Sequence, residues 1–153
     1  MTQKKTSARK GLDFGILPKL AGYQLRMAQI AIFRDFAQSV GELDVTPGLF
    51  GVLVIIEANP GLKQSELARA AHLDRSTVVS IIDNLERRNL VERRPAQNDR
   101  RSNALFLTAP GATLLKTLKQ RVTEHEKRLV RHLTEQEHAS LVDLLSKIFP
   151  EHR

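Results

Sequence analysis

The chain has 153 residues, of which 41% are apolar, and a formal net charge of +7. This composition supports a folded core and excludes an intrinsically disordered chain. The sequence holds no cysteine, which excludes disulfides, thiolate zinc sites and a thiol-based redox sensor. It has no apolar run of membrane-spanning length, and its polar N-terminus lacks the apolar segment of a signal peptide. We therefore expect a cytoplasmic protein with no membrane partner.

The positive charge is concentrated in two segments. From Lys63 to Arg101, nine Lys and Arg residues face six Asp and Glu residues, and residues 1–13 carry four basic residues against one acidic residue. A concentrated positive field is typical of proteins that bind a polyanion, most commonly nucleic acid. On charge alone, a generally basic protein without such a partner is the alternative.

The N-terminal part of the chain is predicted to be a tail followed by a long helix. Residues 1–13 are polar, basic and weakly patterned, so we expect a mobile tail that either contacts DNA or an effector or is simply disordered. From Ile16 to about Ala37, apolar residues recur every three or four positions, with Gly41 just beyond. This spacing predicts a helix over that range.

Two shorter helices are predicted next. Thr46 is placed to cap the second helix and Pro47 to occupy its first position; the helix should run to about Glu57, before the turn signal at residues 59–61. A third helix is predicted over about residues 64–71.

The fourth predicted helix is strongly two-sided. Asp74 can cap it by accepting from the backbone amides of Ser76 or Thr77. Val78, Ile81, Ile82 and Leu85 form its apolar stripe. The polar residues fall largely on the other side: Arg75, Ser76, Thr77, Ser80, Asn84 and Arg87.

A hairpin and two more helices complete the chain. Residues 90–94 and 103–107 are strand-like and flank a turn at residues 95–98. Thr108 opens a helix of about 25 residues, and the capping-box spacing of residues 134–137 opens the last helix.

The element order is therefore ααααββαα, a mainly α fold with a helix–turn–helix and a hairpin at its centre. The first helix and the last two are too long and too apolar to serve the central module alone, and a symmetric dimer would cover their exposed stripes. A two-fold dimer also suits palindromic DNA. We expect a mobile basic tail (1–13), a helical dimerisation domain (14–45 and 109–153) and a DNA-binding domain (46–108).

The fourth helix is predicted to be a recognition helix in the major groove. Its short polar side chains can approach base edges, and its arginines can reach phosphates or a guanine. An ordinary solvated face is the alternative, and the combination of these residue types after a capped turn favours DNA.

The hairpin tip is the second DNA signal. Arg93, Arg94, Arg100 and Arg101 surround it, and an arginine tip can enter a narrow minor groove. We expect Asp99 to brace Arg100 or Arg101 through a charge-assisted hydrogen bond. A solubilising exposed turn is the alternative. The predicted DNA-binding residues are Ser65, Arg75, Ser76, Thr77, Ser80, Asn84, Arg87, Arg94, Asp99, Arg100 and Arg101.

The central segment strongly resembles the winged helix–turn–helix of the MarR family of bacterial repressors. The matching residues are Gln64 to Ala68, Asp74 to Val78, Leu85 to Val91, and Asp99 to Arg101 with the following Leu107-Thr108. The resemblance implies an obligate homodimer on a pseudo-palindrome, with recognition helices in major grooves and wings in flanking minor grooves. The sequence departs from the family pattern at two positions.

Lys63 stands where the family often has a capping Thr or Ser, so Ser65 or water is expected to satisfy that helix start. Asn89 replaces a frequent Gly at the end of the recognition helix, a position that Asn tolerates.

Members of this family usually release DNA when a small molecule, often an aromatic acid, binds between the dimerisation helices and the DNA-binding lobe. The run from Leu17 to Phe36 resembles members that sense phenolic acids or their coenzyme A thioesters. Aromatic residues beside an arginine suit an anionic aromatic ligand. The alternative is that the aromatic residues are core and Arg34 pairs with Asp35 or a neighbour. The candidate ligand-binding residues are Tyr23, Arg26, Ile30, Phe33, Arg34 and Phe50.

No enzymatic, metal or cofactor site is predicted. The sequence has no GxSxG elbow, phosphate-binding glycine loop, HExxH motif or cysteine nucleophile. His125, with Glu124 and His132 nearby, is a conceivable metal ligand, but a packed or interface histidine is favoured. Two rival functions remain: an architectural or nonspecific DNA binder without an effector, and a ligand-binding dimer that has lost DNA binding.

Overall fold

The computed structural model describes residues 12–96 and 99–149, with side chains omitted at 99–102. Its helices and strands confirm the mainly α fold and follow the predicted order, with one additional short strand. The helices are Ala21–Val40 (α1), Pro47–Ala58 (α2), Gln64–Ala70 (α3), Arg75–Arg87 (α4), Ala109–Leu129 (α5) and Glu135–Ile148 (α6). The strands are Leu62–Lys63 (β1), Val91–Ala96 (β2) and Asp99–Leu107 (β3).

The three strands form one antiparallel sheet in the order β1-β3-β2. β1 is the strand that the sequence did not predict, because two residues are too short to show an alternating pattern. Leu62 pairs with Leu105, and the Gly61 amide donates to the Leu105 carbonyl at 2.8 Å. The hairpin strands extend further toward the tip than predicted, and the pairing is irregular between Pro95 and Ala96.

The helix starts agree closely with the predicted caps. The hydroxyls of Thr46 and Thr134 accept from the backbone amides of Leu49 and Glu137, and the Asp74 carboxylate accepts from the Thr77 amide at 2.8 Å.

Lys63 and Asn89, the two residues that depart from the family pattern, are accommodated in different ways. At the start of α3, the Glu66 carboxylate accepts from the Lys63 amide at 2.8 Å, a contact that the sequence did not predict; that Ser65 or water satisfies the amides of the first turn stays a prediction. Asn89 adopts the expected left-handed conformation, with φ of 55°.

The first helix starts later than predicted. A 3-10 turn spans Leu17–Lys19, Leu20 is extended, and α1 begins only at Ala21. The extended backbone of Leu20, with φ of −93° and ψ of 126°, interrupts the helical conformation and separates the turn from α1. No single helix within the described ranges is long and apolar enough to cross a membrane; α1 and α2 meet that test only as a pair bent by 68°.

One hydrophobic core joins the C-terminal end of α1 to α2, α3, α4, α5 and the sheet. Its fully buried members include Leu53, Leu67, Ile82, Leu105 and Leu115. In contrast, α6 buries none of its residues, and the N-terminal half of α1 exposes its apolar side chains. The core therefore belongs to the central module, and the two ends of the chain leave apolar surface uncovered.

The start of α5 is held tightly against Asn89 and Leu90, which follow α4. The Thr108 hydroxyl donates to the Asn89 carbonyl at 2.6 Å, and the Thr108 amide donates to the Leu90 carbonyl at 3.1 Å. Gly111 follows one turn later, and a Cβ there would lie 1.9 Å from the Leu90 carbonyl oxygen. The close approach requires glycine because the facing atom is backbone.

We predict that Gly111→Ala lowers the free energy of unfolding by at least about 2 kcal/mol, because overpacking against backbone forces a shift of α5. Gly51→Ala in α2 is the matched control, since a Cβ there meets nothing within 4 Å. It should raise stability by about 0.5–1 kcal/mol through reduced backbone entropy. Urea unfolding at fixed protein concentration measures both variants, and equal effects would contradict the close approach.

Candidate nucleic-acid interface

Helix α4 presents a polar face outward because its opposite face is anchored in the core. Val78, Ile82 and Leu85 are completely or almost completely buried. The predicted DNA-reading residues on this helix stay accessible: Arg75, Ser76, Ser80 and Arg87 are exposed, and Thr77 and Asn84 are half-buried.

The Asp74 carboxylate organises the first turn of α4. It accepts from the Ser76 hydroxyl at 2.5 Å, the Thr77 hydroxyl at 2.6 Å and the Thr77 amide at 2.8 Å. These hydrogen bonds, the one from Ser76 foremost, hold the pKa of Asp74 well below its usual range. The Ser80 hydroxyl donates within the helix, to the Ser76 carbonyl at 3.1 Å. Sequence reasoning found the cap but not the engagement of these hydroxyl protons.

Concavities border α4 on both sides of its polar face. Ser65 of α3 and Arg75 meet in a pocket of about 350 Å³. On the other side, a groove of about 560 Å³ between α4 and the start of α2 is lined in part by Thr46, Ser80 and Asn84. Ser65 and Arg75 therefore border a concavity on one side of α4, and the other predicted residues of this helix, apart from Arg87, border the groove on the other side.

The end of α4 is tied to the segment that joins α1 to α2. The Arg88 guanidinium donates to the carbonyls of Asp44 at 2.8 Å and Leu43 at 3.0 Å. Arg87 stays exposed, and its nearest recorded acceptor is the Asp83 carbonyl at 3.4 Å. Sequence reasoning missed the role of Arg88, because nothing in an Arg-Arg pair distinguishes the two residues.

The expectation that Arg93 belongs to the arginine tip is wrong. Its guanidinium turns back to form ion pairs with Glu86 and, at 2.7 Å, with Asp83, and it donates to the Gln64 side chain at 2.9 Å. The Glu86 carboxylate also accepts from the Arg93 amide at 3.0 Å. The side chain is only 18% exposed. Arg93 therefore joins β2 to α3 and α4, an arrangement we call the Arg93 clamp.

Arg94 points the other way, as alternation along a strand requires. It forms an ion pair with Glu92, and its guanidinium lies 4.5 Å from the ring centroid of Phe106. The side chain is 57% exposed and available to a partner. The side chains of Asp99, Arg100 and Arg101 lie outside the described residues, so the bracing role of Asp99 stays a prediction.

The candidate ligand-binding residues lie on α1, apart from Phe50 on α2. Ile30 and Phe33 are 41% and 48% exposed, so they are not core residues of the isolated chain. Phe50 packs on Phe36, with ring centroids 6.4 Å apart. Tyr23 is half-buried, and Arg26 and Arg34 are exposed.

His125 is a packed residue, as favoured from the sequence. It is buried, its Nδ1 lies 2.5 Å from the Asp35 carboxylate, and its ring meets Phe36 edge-on at 5.7 Å. Arg128 also donates to Asp35, at 3.2 Å. The His125 hydrogen bond and, to a lesser degree, Arg128 lower the pKa of Asp35. The alternative in which Asp35 pairs with Arg34 is corrected: its partners are on α5.

Residues 45–102 match the model of the MarR family. The chain is 39% identical over 129 residues to a putative transcriptional regulatory protein for the hcr operon of Thauera aromatica, covering 84% of this chain and 78% of that protein. It is 32% identical over 109 residues to the multiple antibiotic resistance protein MarR of Escherichia coli (strain K12), covering 71% of this chain and 76% of that protein. The chain belongs to the MarR family.

Solved structures of the transcriptional repressor CouR share the fold. CouR bound to a 23-mer DNA duplex is 38% identical, with a TM-score of 0.87 over 91% of this chain and 99% of that chain. CouR bound to p-coumaroyl-CoA is 37% identical, with a TM-score of 0.82 over 90% of this chain and 97% of that chain. As a MarR-family member, the chain is a DNA-binding transcriptional regulator and not an enzyme.

In this MarR-family chain, we predict that truncating Arg93 and truncating Arg94, two adjacent residues of β2, lower the free energy of unfolding by different amounts. Arg93→Ala breaks the Arg93 clamp and removes the ion-pair partner of two carboxylates, so the free energy of unfolding should fall by about 1.5–3 kcal/mol. Arg94→Ala removes an exposed ion pair and should cost less than about 1 kcal/mol.

Urea unfolding of both variants tests the difference, and hydrogen exchange of residues 91–96 reports whether the wing has loosened. Faster wing exchange is expected only for Arg93→Ala. Equal losses of stability with unchanged exchange in both variants would contradict the clamp.

Proposed function

We propose that the protein is a ligand-responsive repressor that binds pseudo-palindromic operator DNA as a homodimer. One observation carries the proposal: CouR, which this chain matches along almost its whole length, has been solved both with a DNA duplex and with p-coumaroyl-CoA. That protein therefore binds both kinds of partner. We assign the protein to the cytoplasm, where its operator DNA would lie.

In the proposed complex, α4 lies in the major groove and the β2–β3 wing reaches the minor groove. The exposed polar face of α4 and the cleft shared by Ser65 and Arg75 support the first contact. The exposed guanidinium of Arg94 supports the second. Asp99, Arg100 and Arg101 are assigned to the wing contact from their sequence pattern.

A second copy of the chain is proposed to cover the apolar surface of α1 and α6. MarR-family proteins are dimeric, and in the single chain this surface is too extensive to be stable in water. We therefore assign residues 14–45 and 109–153 to dimerisation and residues 46–108 to DNA binding. The exposed apolar residues of α1 and α6 include Leu25, Met27, Ile30, Phe33, Leu141, Leu144, Leu145 and Ile148.

The effector is proposed to be an aromatic acid or its coenzyme A thioester, and no cofactor is involved. Tyr23, Phe33 and Phe50 would contact the aromatic part, with Ile30 beside them, and Arg26 and Arg34 would contact the anionic part. Ligand bound between the lobes would favour a spacing of the recognition helices that no longer fits half-sites one helical turn apart.

Arg101→Ala should weaken binding to a duplex selected from a randomised pool by at least tenfold, because a minor-groove arginine contact is lost. Arg131→Ala, which removes an equal charge between α5 and α6, should change affinity less than about twofold. Fluorescence anisotropy measures binding, and sedimentation confirms that both variants keep the wild-type oligomeric state.

Two results would contradict parts of this proposal. Unchanged affinity of Arg101→Ala would remove the wing from DNA binding. Equal affinity of the wild-type protein for selected and scrambled duplexes would favour an architectural or nonspecific DNA binder instead.

The effector is tested with a panel of aromatic acids and their coenzyme A thioesters, with p-coumaroyl-CoA included and coenzyme A alone as the control. A compound that raises the melting temperature binds the folded protein. We expect the same compound to weaken binding to the selected duplex at least tenfold. Unchanged duplex affinity in the presence of a stabilising compound would contradict the release mechanism.

A further inference from the structure

The hydroxyl groups of Ser76, Thr77 and Ser80 on the polar face of α4 donate hydrogen bonds to acceptors within the protein. The Ser76 and Thr77 hydroxyls both donate to the Asp74 carboxylate, at 2.5 and 2.6 Å. The Ser80 hydroxyl donates to the Ser76 carbonyl at 3.1 Å. These residues would approach base edges under the proposed function, so the direction of their hydrogen bonds limits what they can recognise.

The two bonds to Asp74 are stronger than the bond made by Ser80. Their acceptor is an ionised carboxylate, and charge-assisted hydrogen bonds are shorter and roughly twice as strong as neutral ones. Asp74 also caps α4 through the Thr77 amide at 2.8 Å, so its position is fixed by the backbone. Ser80 donates to a neutral carbonyl and can exchange partners more easily.

A hydroxyl group has one proton, and after donating it can only accept. Phosphate oxygens, guanine N7 and O6, and thymine O4 are all acceptors and cannot pair with such a hydroxyl. In the major groove, the base groups that donate are the exocyclic amino groups of adenine N6 and cytosine N4. Ser76 and Thr77, held by Asp74, are therefore complementary to adenine and cytosine.

We propose that Asp74 determines sequence specificity by making Ser76 and Thr77 hydrogen-bond acceptors toward DNA, which select bases with an exocyclic amino group. This inference rests on the proposed function, in which α4 enters the major groove. Asp74 is a positioning residue and acts through the two hydroxyls. Donors on the same helix come from other residues, Arg75, Asn84 and Arg87, so donor and acceptor roles are divided along the face.

Asp74→Asn is a closely matched test, because Asn caps helices about as well as Asp. Its side chain offers one oxygen acceptor, and its amide group is a donor. A hydroxyl that faces the amide must accept from it, which frees that hydroxyl proton to donate to DNA. The variant thus keeps the cap and the shape while reversing one hydrogen bond.

The experiment selects duplexes from a randomised pool with wild-type protein, Asp74→Asn and Ser76→Ala. The selected wild-type duplex is then rebuilt with base analogues that lack a single amino group, purine for adenine or pyrimidin-2-one for cytosine. For wild type, deletion at the contacted position should weaken binding by roughly twofold to tenfold, the range of one hydrogen bond. Either Ser76→Ala or its counterpart Thr77→Val should abolish the sensitivity at one position.

For Asp74→Asn, the readout is the ratio of its affinities for different duplexes. Absolute affinities are not used, because removing a negative charge near DNA tightens binding to every sequence. We expect its preference at one of these positions to move toward guanine or thymine. Identical ratios for wild type and Asp74→Asn, or wild-type binding that is insensitive to every amino deletion, would overturn the inference while leaving the proposed function intact. A pool from which the wild type enriches no sequence would overturn both.

Discussion

The burial of one side of α4 is the constraint on which the rest of the structure depends. Val78, Ile82 and Leu85 sit in the core, so the polar residues of the same helix must face outward. The Arg93 clamp adds a polar connection from that helix to β2 and α3. Helix α4 and the base of the β2–β3 hairpin are therefore held as one unit, which under the proposed function would let both engage a duplex in a fixed relation.

Under the proposed function, the connection between α1 and α4 would provide the physical basis for regulation. Arg88 joins the end of α4 to the Leu43 and Asp44 carbonyls, just beyond α1. The other end of α1 carries exposed apolar residues, which under the proposed function would contact a second chain or a ligand. A change in how α1 packs can thus reach α4 through a short series of contacts, which is what a ligand-responsive regulator needs.

Much of the fold could be predicted because its signals are local. The caps Thr46, Asp74 and Thr134 and the apolar stripe of α4 depend on neighbours within a few positions. Arg93 could not be assigned, since its partners Asp83 and Glu86 become neighbours only after β2 packs beside α4. The two-residue strand β1 carries no pattern of its own, and the direction of the hydroxyl bonds at Asp74 depends on side-chain geometry that residue types alone do not give.

Under the proposed function, a pair of recognition helices, one α4 from each chain of the dimer, reads DNA through the major groove. The most direct measurement is a chemical footprint of the selected duplex, using methylation of guanine N7 for the major groove and of adenine N3 for the minor groove. We predict two protected major-groove segments about 10 base pairs apart, each flanked by minor-groove protection. A single protected segment, or protection confined to the minor groove, would contradict it.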